Sequence, residues 1–388
     1  MIFYVLILHF SLFFLIWILW KTQKNYSPIA FFVFGVITIF YTPIIYYAFM
    51  NGTSYRVFSS IALKIFIAIG IYVFLSIGII LSIKVSADKK RPTKIILKRE
   101  NGFFILYIFI ILIVVLGYLM VFGNNLLLTK IFTNTHSDFV RSDTSGALPM
   151  WFTIATLISF IVPSFYFYFF NEFKRSLTKY IFFLIVAILT MVDGNKGIFV
   201  YLCIFVFIFI NKYKVNIKLF FLGIISLLFY GVFKGIENFS LNNISYILTS
   251  SLRRFFVNQG SCFINRIEMI LIGYPFDNTR ISDQVAYFID GSWGASAPTY
   301  YLGDFLVTYG IFLSLVMHLI VLIVLVYSSN ILFYRYKGNL FLYWNYASVA
   351  YLLFMSELSF SHIIRIVIIA VNVCIYFLTH KKRFEVNI

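Results

Sequence analysis

The chain has 388 residues, 62% apolar, 21% aromatic and only 12% charged, with a formal charge of +17. A soluble domain carries about 25% charged residues, whereas apolar runs near the ~20 residues that cross a bilayer recur here from end to end. These figures exclude a soluble globule, and they shift the first meaning of the positive charge from a nucleic-acid surface to membrane topology.

In chain order, apolar segments fall at about 1–20, 29–50, 58–83, 102–122, 150–170, 180–192, 198–210, 219–234, 303–329, 341–356 and 363–379. They predict an all-α polytopic membrane protein of about eleven transmembrane helices, one membrane domain over residues 1–388. The first segment has no basic n-region and no small-residue cleavage site, so it reads as a retained helix and not a signal peptide. The two segments around 180–210 are short, with Asp193-Gly194-Asn195-Lys196-Gly197 between them. They are either two spans or one broken or re-entrant helix pair, the latter tolerated where protein or a watery cavity satisfies the backbone.

Two connections are long, at 123–149 and 235–302. The second is too long to be structureless. Its stretches 246–258 and 261–273 predict short amphipathic helices, the latter with Phe263, Ile267, Ile270 and Leu271 at helical spacing, expected to lie along the membrane surface.

Lysine and arginine in the connections set the orientation. One alternate set of connections holds twenty bases against four acids; the other, with its helix ends, holds ten bases and ten acids. The basic set is therefore expected to be cytoplasmic, which puts the N-terminus outside and the C-terminus inside. Base type differs as well. The cytoplasmic bases are mostly lysine, whereas the outer ones are seven arginines and three lysines. Arginine suits sites where a planar donor fork grips phosphate or carboxylate.

Several outer residues could carry chemistry. Arg253, Arg254 and Arg266 cluster with no acid between Glu237 and Arg266, a pattern that favours an anionic ligand over pairing with acids or headgroups. Lys196 sits in a glycine-flanked turn where backbone can approach a ligand closely; the alternative is an ordinary polar turn. Asp304 follows a small-residue segment and Pro298 that specify re-entry into the membrane. It is a helix-dipole partner, or it holds an arginine or activates a hydroxyl. Glu357, His362 and Arg365 flank the last outer turn, where they form either a base with an oxyanion or phosphate clamp or an interfacial salt-bridge cluster. Three cysteines without metal-ligand spacing give neither a disulfide framework nor a zinc site, and no cofactor is called for.

The run Ala297-Pro298-Thr299-Tyr300-Tyr301-Leu302-Gly303-Asp304-Phe305-Leu306-Val307-Thr308-Tyr309-Gly310, with Arg253-Arg254 and the 193–197 turn, resembles the Wzy family of O-antigen or capsule repeat-unit polymerases. Asp304 stands at that family's acidic position, and Tyr309-Gly310 at its aromatic-glycine position. Asn195-Lys196-Gly197 would occupy the Ser-Arg-Gly type turn of the related O-antigen ligases, with lysine in place of arginine.

The resemblance implies a GT-C-like glycosyltransferase in the bacterial inner membrane, working on the periplasmic side, with 235–302 as its large periplasmic loop. Such an enzyme moves a growing glycan from undecaprenyl pyrophosphate onto the non-reducing end of a new lipid-linked repeat unit. Its partners would be undecaprenyl-pyrophosphate-linked oligosaccharides, the lipid bilayer and a chain-length regulator, and no nucleic acid. Lys196, Arg253, Arg254, Arg266 and Arg365 are then the expected pyrophosphate ligands, binding without metal. Glu357, His362 and Asp304 are the candidate bases. The alternatives are an O-antigen ligase, with the same donor but a lipid A–core acceptor, and a non-enzymatic flippase or transporter. A transporter route needs intramembrane charges, and here the spans are nearly free of them.

Overall fold

The computed structural model describes residues 2–22, 24–49, 58–85, 94–99, 102–123, 148–173, 176–190, 196–214, 257–277, 279–291, 299–355 and 360–385. Among the described residues, six helices are long and apolar enough to cross a membrane: Ile2–Lys21, Pro28–Tyr47, Ser60–Ile83, Phe103–Phe122, Trp151–Phe169 and Tyr301–Arg335. Four further expected spans appear as shorter apolar helices at Leu177–Thr190, Gly197–Ile210, Leu340–Phe354 and His362–Leu378. The expected span at 219–234 lies outside the described residues.

Large apolar side chains cover the outside of these helices. Phe3, Phe10, Phe13 and Trp20 stand exposed on the first, and Phe103, Phe109, Ile113 and Met120 on the fourth. A soluble protein rarely leaves contiguous apolar area of that kind to water; hydrocarbon accepts it.

Where the sequence reads as one domain, the described residues group into two compact units, interleaved along the chain. One draws on Met1–Pro92, Leu252–Tyr334 and Ala350–His362, the other on Thr93–Ser251, Arg335–Val349 and Ile363–Ile388.

In the first unit, α1 (Ile2–Lys21) packs along α4 (Ser60–Val85). Helices α2 (Pro28–Phe40) and α3 (Thr42–Phe49) form one apolar rod interrupted at Tyr41, and Pro43 has no N–H to give the Ile39 carbonyl. Against α2 and α4 lies α9 (Gln259–Leu271), followed by α10 (Ile281–Asp290) and α11 (Tyr301–Arg335). Phe263 of α9 meets the rings of Phe40 and Phe66 at 5.2 and 5.6 Å. Glu268, further along α9, reaches Ser59 at the start of α4, so α9 runs antiparallel to α4.

The sequence places this helix along the membrane surface; the structure packs it among the spans. Phe263 and Ile267 of its apolar face are buried, Phe263 against aromatic partners on α2 and α4, while Ile270 and Leu271 at its end stay exposed.

This packing depends on Gly260, where an added Cβ would stand 2.5 Å from the Ile39 carbonyl oxygen and collide with Pro43. Gly260→Ala is therefore expected to cost about 1–3 kcal/mol or more, as overpacking against backbone does. A lowered unfolding midpoint in detergent would show it, and an unchanged midpoint would refute it.

The second unit holds α5 (Phe103–Phe122), α6 (Trp151–Phe169), α7 (Ser176–Thr190) and α8 (Lys196–Phe205), with segments of α12 (Leu340–Met355) and α13 (Phe360–Leu378). Within α6, residues Leu157–Ile161 form a π turn just before Pro163, whose missing N–H leaves the Ser159 carbonyl without its α-helical donor. Nearby, Trp344 donates its indole N–H to the Phe160 carbonyl at 2.8 Å.

Polar side chains join these helices in the way expected inside a bilayer. Asn372 donates to Ser164 and Asn345 and accepts from the Tyr107 hydroxyl, at 3.1, 3.0 and 3.2 Å.

Outside the membrane helices, β1 (Lys94–Arg99) pairs antiparallel with β2 (His380–Glu385), from Lys94 opposite Glu385 to Arg99 opposite His380. The sequence reading gives no strand here. It does assign both segments to the same basic set of connections, so their pairing needs no crossing of the bilayer.

Candidate functional site

Two of the functional candidates, Arg266 and Asp304, meet at the start of α11. Tyr301 and His318 are seventeen residues apart, yet the Tyr301 hydroxyl and His318 Nδ1 are hydrogen-bonded at 2.6 Å. A straight helix would separate such residues by about 25 Å, so the chain reverses between them. The reversal is at Gly310, whose φ of 73° and ψ of 173° are non-helical and belong to a region essentially reserved for glycine. What appears as one long helix is thus a hairpin, with a short arm, 301–309, folded back on a long arm, 311–335. The re-entry that the sequence reading places at Pro298 lies outside the described residues; the reversal at Gly310 is a further turn that it does not anticipate.

Residues 301–306 of the short arm are all buried, Asp304 among them. Arg266 of α9 donates from Nε to Asp304 Oδ1 at 2.6 Å and from Nη1 to the Cys262 carbonyl at 3.0 Å. Arg266 is 0% exposed and Asp304 5%. Gly303 makes room for the arginine stem, since a Cβ there would stand 3.0 Å from Arg266 Cδ. The long connection at 235–302 and the short arm of α11, read separately in the sequence, are therefore joined by a buried ion pair.

The pair refines both roles. Asp304, already engaged by a guanidinium, is a counter-ion more than a free base, which is one of the roles its position allows. Arg266, expected among the pyrophosphate ligands, instead spends its charge on Asp304 inside the protein, where it can position the arm. Its Nη2 makes no hydrogen bond among the described residues.

The other candidates have surroundings of their own or lie outside the described residues. In the second unit, the Arg365 guanidinium sits 4.4 Å from the centre of the Phe152 ring, a cation–π contact. His362 is half-buried in the first turn of α13. Lys196 begins α8 in its backbone, and its side chain is outside the described residues, as are Arg253, Arg254 and Glu357. Among the described residues, no group of three or more His, Cys, Asp or Glu gathers as it would around a metal ion.

The sequence reading gives Glu268 no role beyond a charge on the amphipathic helix at 261–273. Glu268 Oε1 accepts the Ser59 backbone N–H at 2.6 Å, while the Ser59 side chain accepts the Ala62 N–H at 3.2 Å. Together they reproduce a capping box in which the carboxylate comes from another helix. No local pattern signals this, since Glu268 and Ser59 are 209 residues apart.

Beyond Glu268 the α9–α10 connection is held by Gln284, which accepts from the Asp277 N–H at 3.2 Å and donates to the Thr279 carbonyl at 2.9 Å. Thr279 hydrogen bonds hold the Asp277 carboxyl below the usual carboxylate range. Asp277 thus stays ionised through the physiological range, and the turn carries no pH switch there.

The fold and the exposed apolar helices define the chain as a helical membrane protein. It matches no protein-family model, no curated protein and no solved structure.

Proposed function

We propose that this protein is a polysaccharide repeat-unit polymerase, a membrane glycosyltransferase that elongates a lipid-linked glycan on the outer face of the bacterial inner membrane. The observation that carries the reading is the buried Arg266–Asp304 pair, which ties the arginine-bearing outer loop to the re-entrant arm on which the family resemblance rests. In this reading the eleven expected spans form a GT-C-like scaffold with the N-terminus periplasmic and the C-terminus cytoplasmic.

Arg253 and Arg254, just ahead of α9, bind the donor pyrophosphate, where guanidinium groups stabilise the leaving charge. Arg266 and Asp304 position the arm, and Glu357 or His362 supplies the base for the acceptor hydroxyl. Undecaprenyl-pyrophosphate-linked oligosaccharides are both donor and acceptor.

Alanine at Arg253 and Arg254 together, at normal protein levels, is expected to reduce surface glycan to single repeat units on a polyacrylamide gel. A full ladder would overturn the assignment. Deleting the gene separates the neighbouring activity: a ligase would leave lipid A–core bare and polymer stranded on its lipid carrier.

A further inference from the structure

Tyr301 and His318 are both fully buried. Among the described residues their 2.6 Å contact is the one hydrogen bond of the imidazole, since Nε2 has none. A buried polar atom left unmatched costs stability. An apolar side chain would fill the same cage, formed by the rings of Tyr72, Tyr300 and Tyr301 at 5.9, 5.6 and 5.6 Å, without that cost. What histidine supplies and hydrocarbon does not is direction, because a hydrogen bond demands distance and alignment whereas apolar burial is non-directional.

Direction matters on this arm. Gly310 stands in an open turn: Tyr309, Ile311 and Phe312 are exposed, and an added Cβ at Gly310 would meet nothing within 4 Å among the described residues. The turn therefore leaves the rotation of the short arm to contacts along its length. On one side, Thr299 just before the arm donates to the Gln259 carbonyl at 2.6 Å, and Asp304 meets Arg266, both partners belonging to α9. On the other side, Tyr301 meets His318 of the long arm. Tyr72 of α4 holds that long arm in turn, donating to the Leu315 carbonyl at 2.7 Å.

Tyr301 and Asp304 are three residues apart, so they project from adjoining sides of one helical turn. At a side-chain radius of about 5–6 Å, rotating the arm by about 10° carries the Asp304 carboxylate by about 1 Å. That is enough to spoil its 2.6 Å contact with Arg266.

We propose that Tyr301 and His318 are positioning residues for the transfer reaction: their hydrogen bond sets the rotation of the short arm and so seats Asp304 against Arg266. The inference rests on the polymerase reading, to which it adds the residues that aim the buried pair.

The test uses the full chain in lipid nanodiscs, supplied with undecaprenyl-pyrophosphate-linked repeat units from the producing strain. Tyr301→Phe keeps the ring and removes the hydroxyl. It is expected to lower kcat by about tenfold to a hundredfold, the scale of a 1 Å misplacement, with KM unchanged within about twofold. His318→Asn keeps an amide near the Nδ1 position as a partner for the hydroxyl and should retain most of kcat. Tyr301→Phe with His318→Leu removes both polar partners, so its unfolding midpoint should return toward that of the wild type while kcat stays low. Wild-type kcat from Tyr301→Phe or from this apolar pair would overturn the proposal, as would an effect on KM alone.

A second measurement needs no turnover. If the hydroxyl aims Asp304 at Arg266, Asp304→Asn should lower the unfolding midpoint at most about half as much in the Tyr301→Phe background as in the wild type, because contacts that share an element couple. Equal shifts in the two backgrounds would overturn the positioning role whatever the activity. Failure of the polymerase reading looks different: the wild-type protein then makes no polymer from the lipid-linked units, while the coupling between Tyr301 and Asp304 persists.

Discussion

Arg266→Ala is expected to destabilise the first unit by about 3–5 kcal/mol, the cost of breaking a buried ion pair from one side. The pair is closed to solvent and linked at 2.6 Å, so water cannot compensate for the loss. Asp304→Ala should cost a similar amount for the converse reason, since it strands the guanidinium. Replacing both with apolar residues, Arg266→Met with Asp304→Leu, removes the desolvation penalty along with the attraction and should restore most of the stability.

Unfolding midpoints in detergent measure the three variants, and equal losses in single and double variants would refute the pair's energetic role. The surface ladder adds a second readout. If the pair serves only to hold the fold, the double variant regains polymer as it regains stability. If the arm must be positioned by a charge pair, it stays at single repeat units.

The second large effect is expected at Gly310. A side chain there meets a backbone conformation, φ 73° and ψ 173°, that costs of order 1–3 kcal/mol outside glycine. The relief open to Gly310→Val is a straight helix through the turn, which would carry Tyr301 about 25 Å from His318 and pull Asp304 off Arg266. In a background with Cys203, Cys262 and Cys374 changed to Ser, the pair Tyr301→Cys and His318→Cys should be joined by a short bis-maleimide. Adding Gly310→Val should prevent the crosslink. Crosslinking that survives the valine would show that the hairpin does not depend on the glycine.

The helical membrane class was legible because it follows from composition and run length, which need no tertiary knowledge. Asp304 and Arg266 were legible as polar residues in places where ordinary ones are rare. Their pairing was not, because they are 38 residues apart on different helices, and no periodicity reports a contact between elements.

Gly310 was legible as part of the Tyr309-Gly310 pair, but its turn was not, for a related reason. It stands between Tyr309 and Ile311 in an apolar run, where a lone glycine is usually tolerated inside a helix. α9 was found as a helix, but its apolar face fitted a lipid surface as well as a protein groove. Only the rings of Phe40 and Phe66 decide between them. Arg365 shows the same limit, because nothing near it in sequence marks Phe152 as its partner.

The interleaving of the two units has a consequence for the order in which the chain is made. Phe354 stacks on Phe32 at 5.3 Å and on Tyr300 at 5.7 Å, and Gly35 leaves room for its ring. The first ninety residues emerge early from the ribosome, yet the unit they belong to lacks this ring until residue 354 has been synthesised. During translation, α2 must wait in the membrane beside whatever helix arrives next, with its aromatic face uncovered. Long-range contacts of this kind are slow to form. Truncation just before α12 should therefore yield an unfinished first unit even though most of its residues are present.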